Sequence, residues 1–171
     1  MSELVSRARA WAIEKHGKQM YGTHPYAYHL GAVADLAAPY GELAEAVAWL
    51  HDTIEDAFVT EADVAAEFGD RVARLVVLLT DPVGRDKDDS KRLRNERLAK
   101  LQGDDRVALI VKACDRLANL RASAAPGPKS EEMLAKYRRE HPAFREAAFR
   151  EGLCEPLWKE IDEIIGSSAG G

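Results

Sequence analysis

The chain is poor in cysteine. Cys114 and Cys154 are its only two, at no metal-binding spacing and too few for a disulfide framework, so a reducing cytoplasm is the expected setting. It also lacks the run of about 18 apolar residues that a membrane span requires. Met1 to Lys15 mixes acids with bases and has no apolar stretch of the export-signal kind. Positive charge is not in excess: 24 Lys and Arg face 29 Asp and Glu, a net charge of −5 with the signs interspersed. That excludes a general nucleic-acid binder but not an anionic small substrate, because a bound cation and a few bases override the global sign locally. There is no internal repeat and no interdomain linker. No pattern indicates an oligomeric state.

The sequence does contain helical periodicity almost throughout its 171 residues, 46% of them hydrophobic, which suits one all-α domain with a proper core. Leu4, Val5, Ala8, Trp11 and Ala12 recur at helical spacing, and Gly17 ends that segment. Gly22 to Pro25 reads as a loop, Tyr28 to Ala38 as a helix, and Pro39-Tyr40-Gly41 as its break. A further helix is expected over Glu42 to Ile54. Thr60 and Asp63 resemble a capping box. Arg71 to Thr80 has strand-like composition, but its helical surroundings favour a buried helix. Asp86 to Leu101 reads as a charged helix or a partly mobile arm, and Asp104 to Ala122 as a helix with an apolar centre. Ser130 is expected to cap the next helix, His141-Pro142 to break it, and the last helix to reach about Ile165. The domain is thus expected over 1–165, with 166–171 as a flexible tail. Trp11, Trp49 and Trp158 belong to the core.

The chemistry concentrates in His51-Asp52-Thr53-Ile54-Glu55-Asp56. On a continuous helix, Glu55 and Asp56 would each stand one turn beyond a member of the His51-Asp52 pair, and all four would share one strip. Three carboxylates and an imidazole so crowded repel one another unless a divalent cation joins them. A bland alternative is a helix end running into an acidic solvated loop. Two residues elsewhere weigh against it. His29 follows Pro25-Tyr26-Ala27-Tyr28. Asp115 lies within the apolar stretch from Leu109 to Leu120, where a carboxylate is costly unless paired or metal-bound. Its bland alternative is an ion pair with Lys112 or Arg116. Together His29, His51, Asp52 and Asp115 make a mixed nitrogen and oxygen set suited to Mn²⁺ or Fe²⁺ ahead of Zn²⁺ and Mg²⁺. Asn119 stands one turn past Asp115. The bases of the 85–100 stretch, Arg85, Lys87, Lys91, Arg92, Arg94, Arg97 and Lys100, read as a solvated helix face. His16 and Gln19 read as a structural hydrogen-bonded pair.

Four segments, in order, resemble the hydrolase domain of the RelA/SpoT alarmone proteins, and most closely its stand-alone form, the small alarmone hydrolases. They are His16-Gly17-Lys18-Gln19, Pro25-Tyr26-Ala27-Tyr28-His29, Leu50 to Asp56, and Lys112 to Arg121. Phe68-Gly69 and Thr80 match further landmarks, so the likeness spans roughly residues 4 to 140. The resemblance implies a compact all-α HD-domain fold and a metal that is typically Mn²⁺. It implies removal of the 3′-pyrophosphate of guanosine tetra- or pentaphosphate, giving GDP or GTP. By this likeness His29, His51, Asp52 and Asp115 would be the ligands, and Glu55 and Asp56 the pair that positions and activates water. Asn119 and Tyr137 would by the same likeness face the substrate, and Tyr21 and Lys112 are further substrate-facing candidates of this chain. The chain departs from the family where a basic residue, often Arg, contacts the base. Here Met20-Tyr21-Gly22-Thr23-His24 carries neither Arg nor Lys, and Tyr21 stacking or a His24 hydrogen bond would have to serve. His29-Leu30 and Lys112-Ala113-Cys114-Asp115 are milder departures. The altered loop keeps another nucleotide in view, such as NADPH or a nucleoside monophosphate. A non-catalytic nucleotide sensor is a further alternative, although such domains usually lose a ligand or the acidic pair.

Overall fold

The computed structural model describes residues 1–167, and its first helix is set by two local signals. Ser2 Oγ accepts the Val5 amide at 3.2 Å, and Gly17 ends α1 (Glu3–His16) in a positive-φ conformation that favours glycine. The Gly22 to Pro25 segment, expected to be a loop, instead closes a minimal hairpin. Met20–Tyr21 (β1) pairs antiparallel with His24–Pro25 (β2), with Gly22 at φ 60° in the turn. Helix α2 (Tyr26–Ala37) follows at once, then a 3₁₀ turn over Ala38–Tyr40.

The expected helix over Glu42 to Ile54 is two pieces. Helix α3 (Glu42–Leu50) stops, and the short α4 (Thr53–Asp56) starts after Asp52, whose φ of −104° and ψ of 2° leave the helical region. Thr53 Oγ1 donates to the Leu50 carbonyl at 2.7 Å, satisfying an acceptor that the break would strand. The 60–63 capping box opens α5 (Glu61–Phe68). Helix α6 (Asp70–Leu79) is helical as expected, with Val72, Leu75, Val76 and Leu79 buried at helical spacing. The stretch from Asp86 is an ordered helix rather than an arm. Asp86 caps α7 (Lys87–Ala99), and Arg150 holds its far end by donating to the Leu98 carbonyl at 3.0 Å.

Helix α8 (Arg106–Ala124) runs through the centre and packs against α2, α3, α6, α9 (Ser130–Ala148) and α10 (Glu155–Gly166). Two expectations for α9 are corrected. Lys129, not Ser130, is its N-cap, because the Ser130 hydroxyl turns back to the Ala125 carbonyl at 2.6 Å. The helix also continues through Pro142. Buried Tyr137, His141, Phe144 and Ala148 form one stripe on both sides of the proline, and that packing outweighs the lost backbone bond. Helix α10 includes Gly166, the first residue of the expected tail. Residues 168–171 lie outside the described residues.

The core is one continuous cluster. Gly31 lets Trp49 lie against α2, since a Cβ there would stand 3.3 Å from the indole. Trp158 is 2% exposed and lies 5.5 Å from Phe144 and 5.8 Å from Phe149 between ring centroids. Trp158→Ala is expected to destabilise the fold by about 3–5 kcal/mol in urea titration, the range for large aromatic deletions. A loss below about 1 kcal/mol would contradict this packing. No helix among the described residues is long and apolar enough to cross a membrane.

Candidate metal centre

Four side chains converge where α2, the α3–α4 break and α8 meet. His29 comes from α2 and Asp115 from α8, while His51 and Asp52 come from the break itself. His29 Nε2 lies 3.1 Å from Asp115 Oδ1 and 3.8 Å from Asp52 Oδ2. His51 Nε2 lies 3.1 Å from Asp52 Oδ2 and 3.5 Å from Asp115 Oδ1. Ligand atoms of His29, His51 and Asp52 all fall within 4.8 Å of one another. The separations of 3.1 to 3.8 Å are those of ligands held about 2.1 Å from one ion.

The expected single strip of a continuous helix is corrected here. The break at Asp52 turns its carboxylate toward His51 Nε2, which adjacent positions on a regular helix would hold about 100° apart.

His51 offers the fit test for a cation. Its Nδ1 lies 2.6 Å from the Ala48 carbonyl, so Nδ1 carries the proton and Nε2 points at two carboxylates. Nε2 is buried and finds no well-aligned hydrogen-bond partner. Burial alone would lower the His51 pKa. The Asp52 and Asp115 carboxylates overcome it and hold the pKa well above the ordinary value. Burial likewise opposes ionisation of Asp115, but Lys112 and the two imidazoles hold its carboxyl well below the usual range. The pocket therefore holds two ionised carboxylates and attracts positive charge at the point Nε2 faces. A divalent cation coordinated along that lone pair suits the donors present.

A layer of hydrogen bonds orients these groups. Tyr26 Oη donates to Asp52 Oδ2 at 2.6 Å and stands 3.2 Å from Asp56 Oδ2. A hydroxyl has one proton, so the shorter bond to Asp52 holds it. Tyr26 was not singled out from the sequence. Its signal was present: it precedes His29 by one helical turn and therefore shares its face. His16 stacks on Tyr26 at 4.7 Å, and its Nδ1 meets Gln19 Oε1 at 2.8 Å, the structural role expected of that pair. Asn119 Nδ2 donates to Asp115 Oδ1 at 2.9 Å, and Lys112 Nζ approaches Asp115 Oδ2 at 3.5 Å. The Lys112 ion pair considered from the sequence thus coexists with the two imidazoles.

Glu55 and Asp56 lie beside this cluster at the surface. Surrounding chain strips water from Glu55, and with Asp81 and Asp52 nearby its pKa is pushed up to about 7. Asp56 is raised for the same reason, with Asp52 contributing. Asp81, at the end of α6, is a neighbour the sequence did not suggest. Tyr21 Oη donates to Asn119 Oδ1 at 2.7 Å, and its ring stacks on His29 at 4.6 Å and 12°. Tyr137 is buried, with the Arg116 guanidinium 4.8 Å above its ring. The expected solvated face of α7 needs correction at Arg94, which is 6% exposed and lies 3.5 Å from Asp81. Lys91 pairs with Glu140 at 2.7 Å.

Comparison with known proteins agrees with this architecture. Residues 8–143 match the family described as HD domain. The chain is 34% identical over 139 residues to the guanosine-3′,5′-bis(diphosphate) 3′-pyrophosphohydrolase of Aquifex aeolicus, covering 79% of this chain and 20% of that protein. It is 32% identical over 166 residues to a probable GTP pyrophosphokinase of Mycobacterium leprae, covering 94% of this chain and 21% of that protein. The chain therefore spans about a fifth of the length of these relatives. Among solved structures it superposes with a TM-score of 0.81, at 27% identity, on a metazoan ortholog of SpoT that hydrolyses ppGpp. That match covers 96% of this chain and 94% of the other.

Proposed function

This chain belongs to the HD-domain family, and from that premise we propose that it hydrolyses the 3′-pyrophosphate of guanosine tetra- or pentaphosphate to GDP or GTP and pyrophosphate. The convergence of the His29, His51, Asp52 and Asp115 side chains, with His51 Nε2 buried between two carboxylates and without a well-aligned hydrogen bond, carries this reading. The A. aeolicus relative and the metazoan SpoT ortholog supply the substrate by likeness. The four residues would hold the cation, and two imidazoles with two carboxylates suit Mn²⁺ ahead of Fe²⁺, Zn²⁺ or Mg²⁺. Such an ion lowers the pKa of a water and neutralises a phosphoryl oxygen.

The chain's own groups do the rest. Glu55, with a pKa near neutrality, accepts the proton of the attacking water and can return it to the leaving group. Asp56 stands beside it. Tyr26 fixes the Asp52 carboxylate, and Asn119 orients Asp115 while facing the ribose side. Lys112 and Tyr137 complete the substrate-facing wall. No nucleophilic side chain is required, so the hydrolysis is direct, and the setting is cytoplasmic.

The test is a substrate panel with added Mn²⁺ and chromatographic analysis of products. Pyrophosphate and GDP released from ppGpp are expected. Release of single phosphates only, from NADPH or a nucleoside monophosphate, would move the activity to another nucleotide. The hairpin that lacks Arg and Lys motivates that comparison. A non-catalytic sensor is disfavoured, because each ligand position and both acidic positions are filled.

A further inference from the structure

A cavity of about 500 Å³ adjoins the candidate metal centre between α2 and α8. Its floor is small and apolar: Ala32 and Leu36 from α2 face Ala118 and Ala122 from α8. Each pair is spaced i, i+4, so two matching stripes define a shallow slot suited to a planar ring. Tyr21 and His29 line the same cavity, their rings stacked at 4.6 Å, so the slot opens directly onto one of the proposed metal ligands.

Asp35 stands at the rim. It is exposed and enters no ion pair or hydrogen bond with a side chain among the described residues. The other charged group on the rim is Arg121. Its Nε and Nη2 are both engaged by the Glu160 carboxylate at 2.7 Å, so it does not neutralise Asp35. Asp35 follows His29 by six residues, about 9 Å of helical rise, room for a nucleoside laid along α2.

A free carboxylate at the edge of an apolar slot calls for two adjacent N–H donors. Guanine presents N1–H and the 2-amino group side by side, whereas adenine presents a bare N1 lone pair that a carboxylate repels. We propose that Asp35 reads the guanine of the substrate, accepting N1–H and N2–H while the ring lies in the α2–α8 slot. Asp35 thereby supplies the base recognition that the Met20 to His24 hairpin, without Arg or Lys, does not. This rests on the guanosine nucleotide being the substrate.

Calorimetric titration of GDP, IDP and ADP into the Mn²⁺-loaded protein and its Asp35→Ala and Asp35→Asn variants tests the inference without turnover. The wild type should prefer GDP to ADP, with IDP, which lacks the 2-amino group, between them. Asp35→Ala should weaken GDP roughly ten- to hundredfold, as expected for charge-assisted hydrogen bonds, and should not weaken ADP, whose N1 lone pair the carboxylate repels. Asp35→Asn should fall between. Equal wild-type affinity for GDP and ADP overturns the inference, and so does a GDP affinity that ignores Asp35 or a loss shared by both nucleotides. If Asp35-dependent GDP preference appears while ppGpp is not hydrolysed, base reading stands and the proposed reaction fails. If ppGpp is hydrolysed and GDP affinity ignores Asp35, only this inference fails.

Discussion

Asp52→Asn is expected to reduce kcat by on the order of a thousandfold or more and to abolish stabilisation by Mn²⁺ in the same protein. The substitution keeps size and shape, and the amide oxygen can still accept from Tyr26 Oη, which now lies 2.6 Å from the carboxylate. What it removes is one negative charge 3.1 Å from His51 Nε2. A folded protein that binds a ligand gains RT ln(1 + [L]/Kd), about 2.7 kcal/mol at a hundredfold excess over Kd. Thermal melts across a Mn²⁺ series should therefore rise for the wild type and stay flat for the variant. His51→Ala should behave alike, but it also opens a cavity at a 2%-exposed position, so Asp52→Asn is the cleaner test. Retained turnover together with wild-type Mn²⁺ stabilisation in Asp52→Asn would remove the His51-Asp52 pair from the proposed centre.

The all-helical class was legible because apolar residues repeat at helical spacing along nearly the whole chain. Even the β-branched stretch at Val72 to Leu79 forms a helix, α6, since its buried positions fall on one helical face. The ligand candidates were legible from cost: a carboxylate at Asp115 inside an apolar helix demands compensation, and the structure brings both imidazoles to it. What the sequence hid was nonlocal. Whether α3 continues past Leu50 turns on Thr53 reaching back to one carbonyl, a choice that periodicity does not encode. Pro142 and Ser130 misled for a related reason. Local propensities at both positions yield to packing along the α9 stripe and to a closed 125–130 turn. Tyr26 was missed because a tyrosine among apolar residues reads as core, and only the approach of Asp52 from another element gives its hydroxyl a role.

Glu55→Gln is expected to lower kcat by roughly 10²–10⁴-fold, the range for loss of a positioned general base, while Mn²⁺ stabilisation stays intact. The two members of the acidic pair differ in their surroundings. Asp56 lies 3.2 Å from the Tyr26 hydroxyl, whereas Glu55 has no hydrogen-bond partner among the described residues, and crowding with Asp81 and Asp52 raises it to about 7. A carboxyl titrating there is protonated and inactive as a base in acid, and becomes competent as pH rises through its pKa. The wild-type kcat should therefore climb with pH on an acid limb. Positive charge at the neighbouring centre offsets the contribution of Asp52, so that limb should lie at or somewhat below 7 in the Mn²⁺-loaded protein. In Glu55→Gln the residual rate should lose the limb, because the group that titrates is gone. Asp56→Asn should keep it and lose less activity. A full pH limb in Glu55→Gln, or a larger loss in Asp56→Asn, would transfer the proton-accepting role to Asp56, whose carboxyl is also raised by burial and by Asp52.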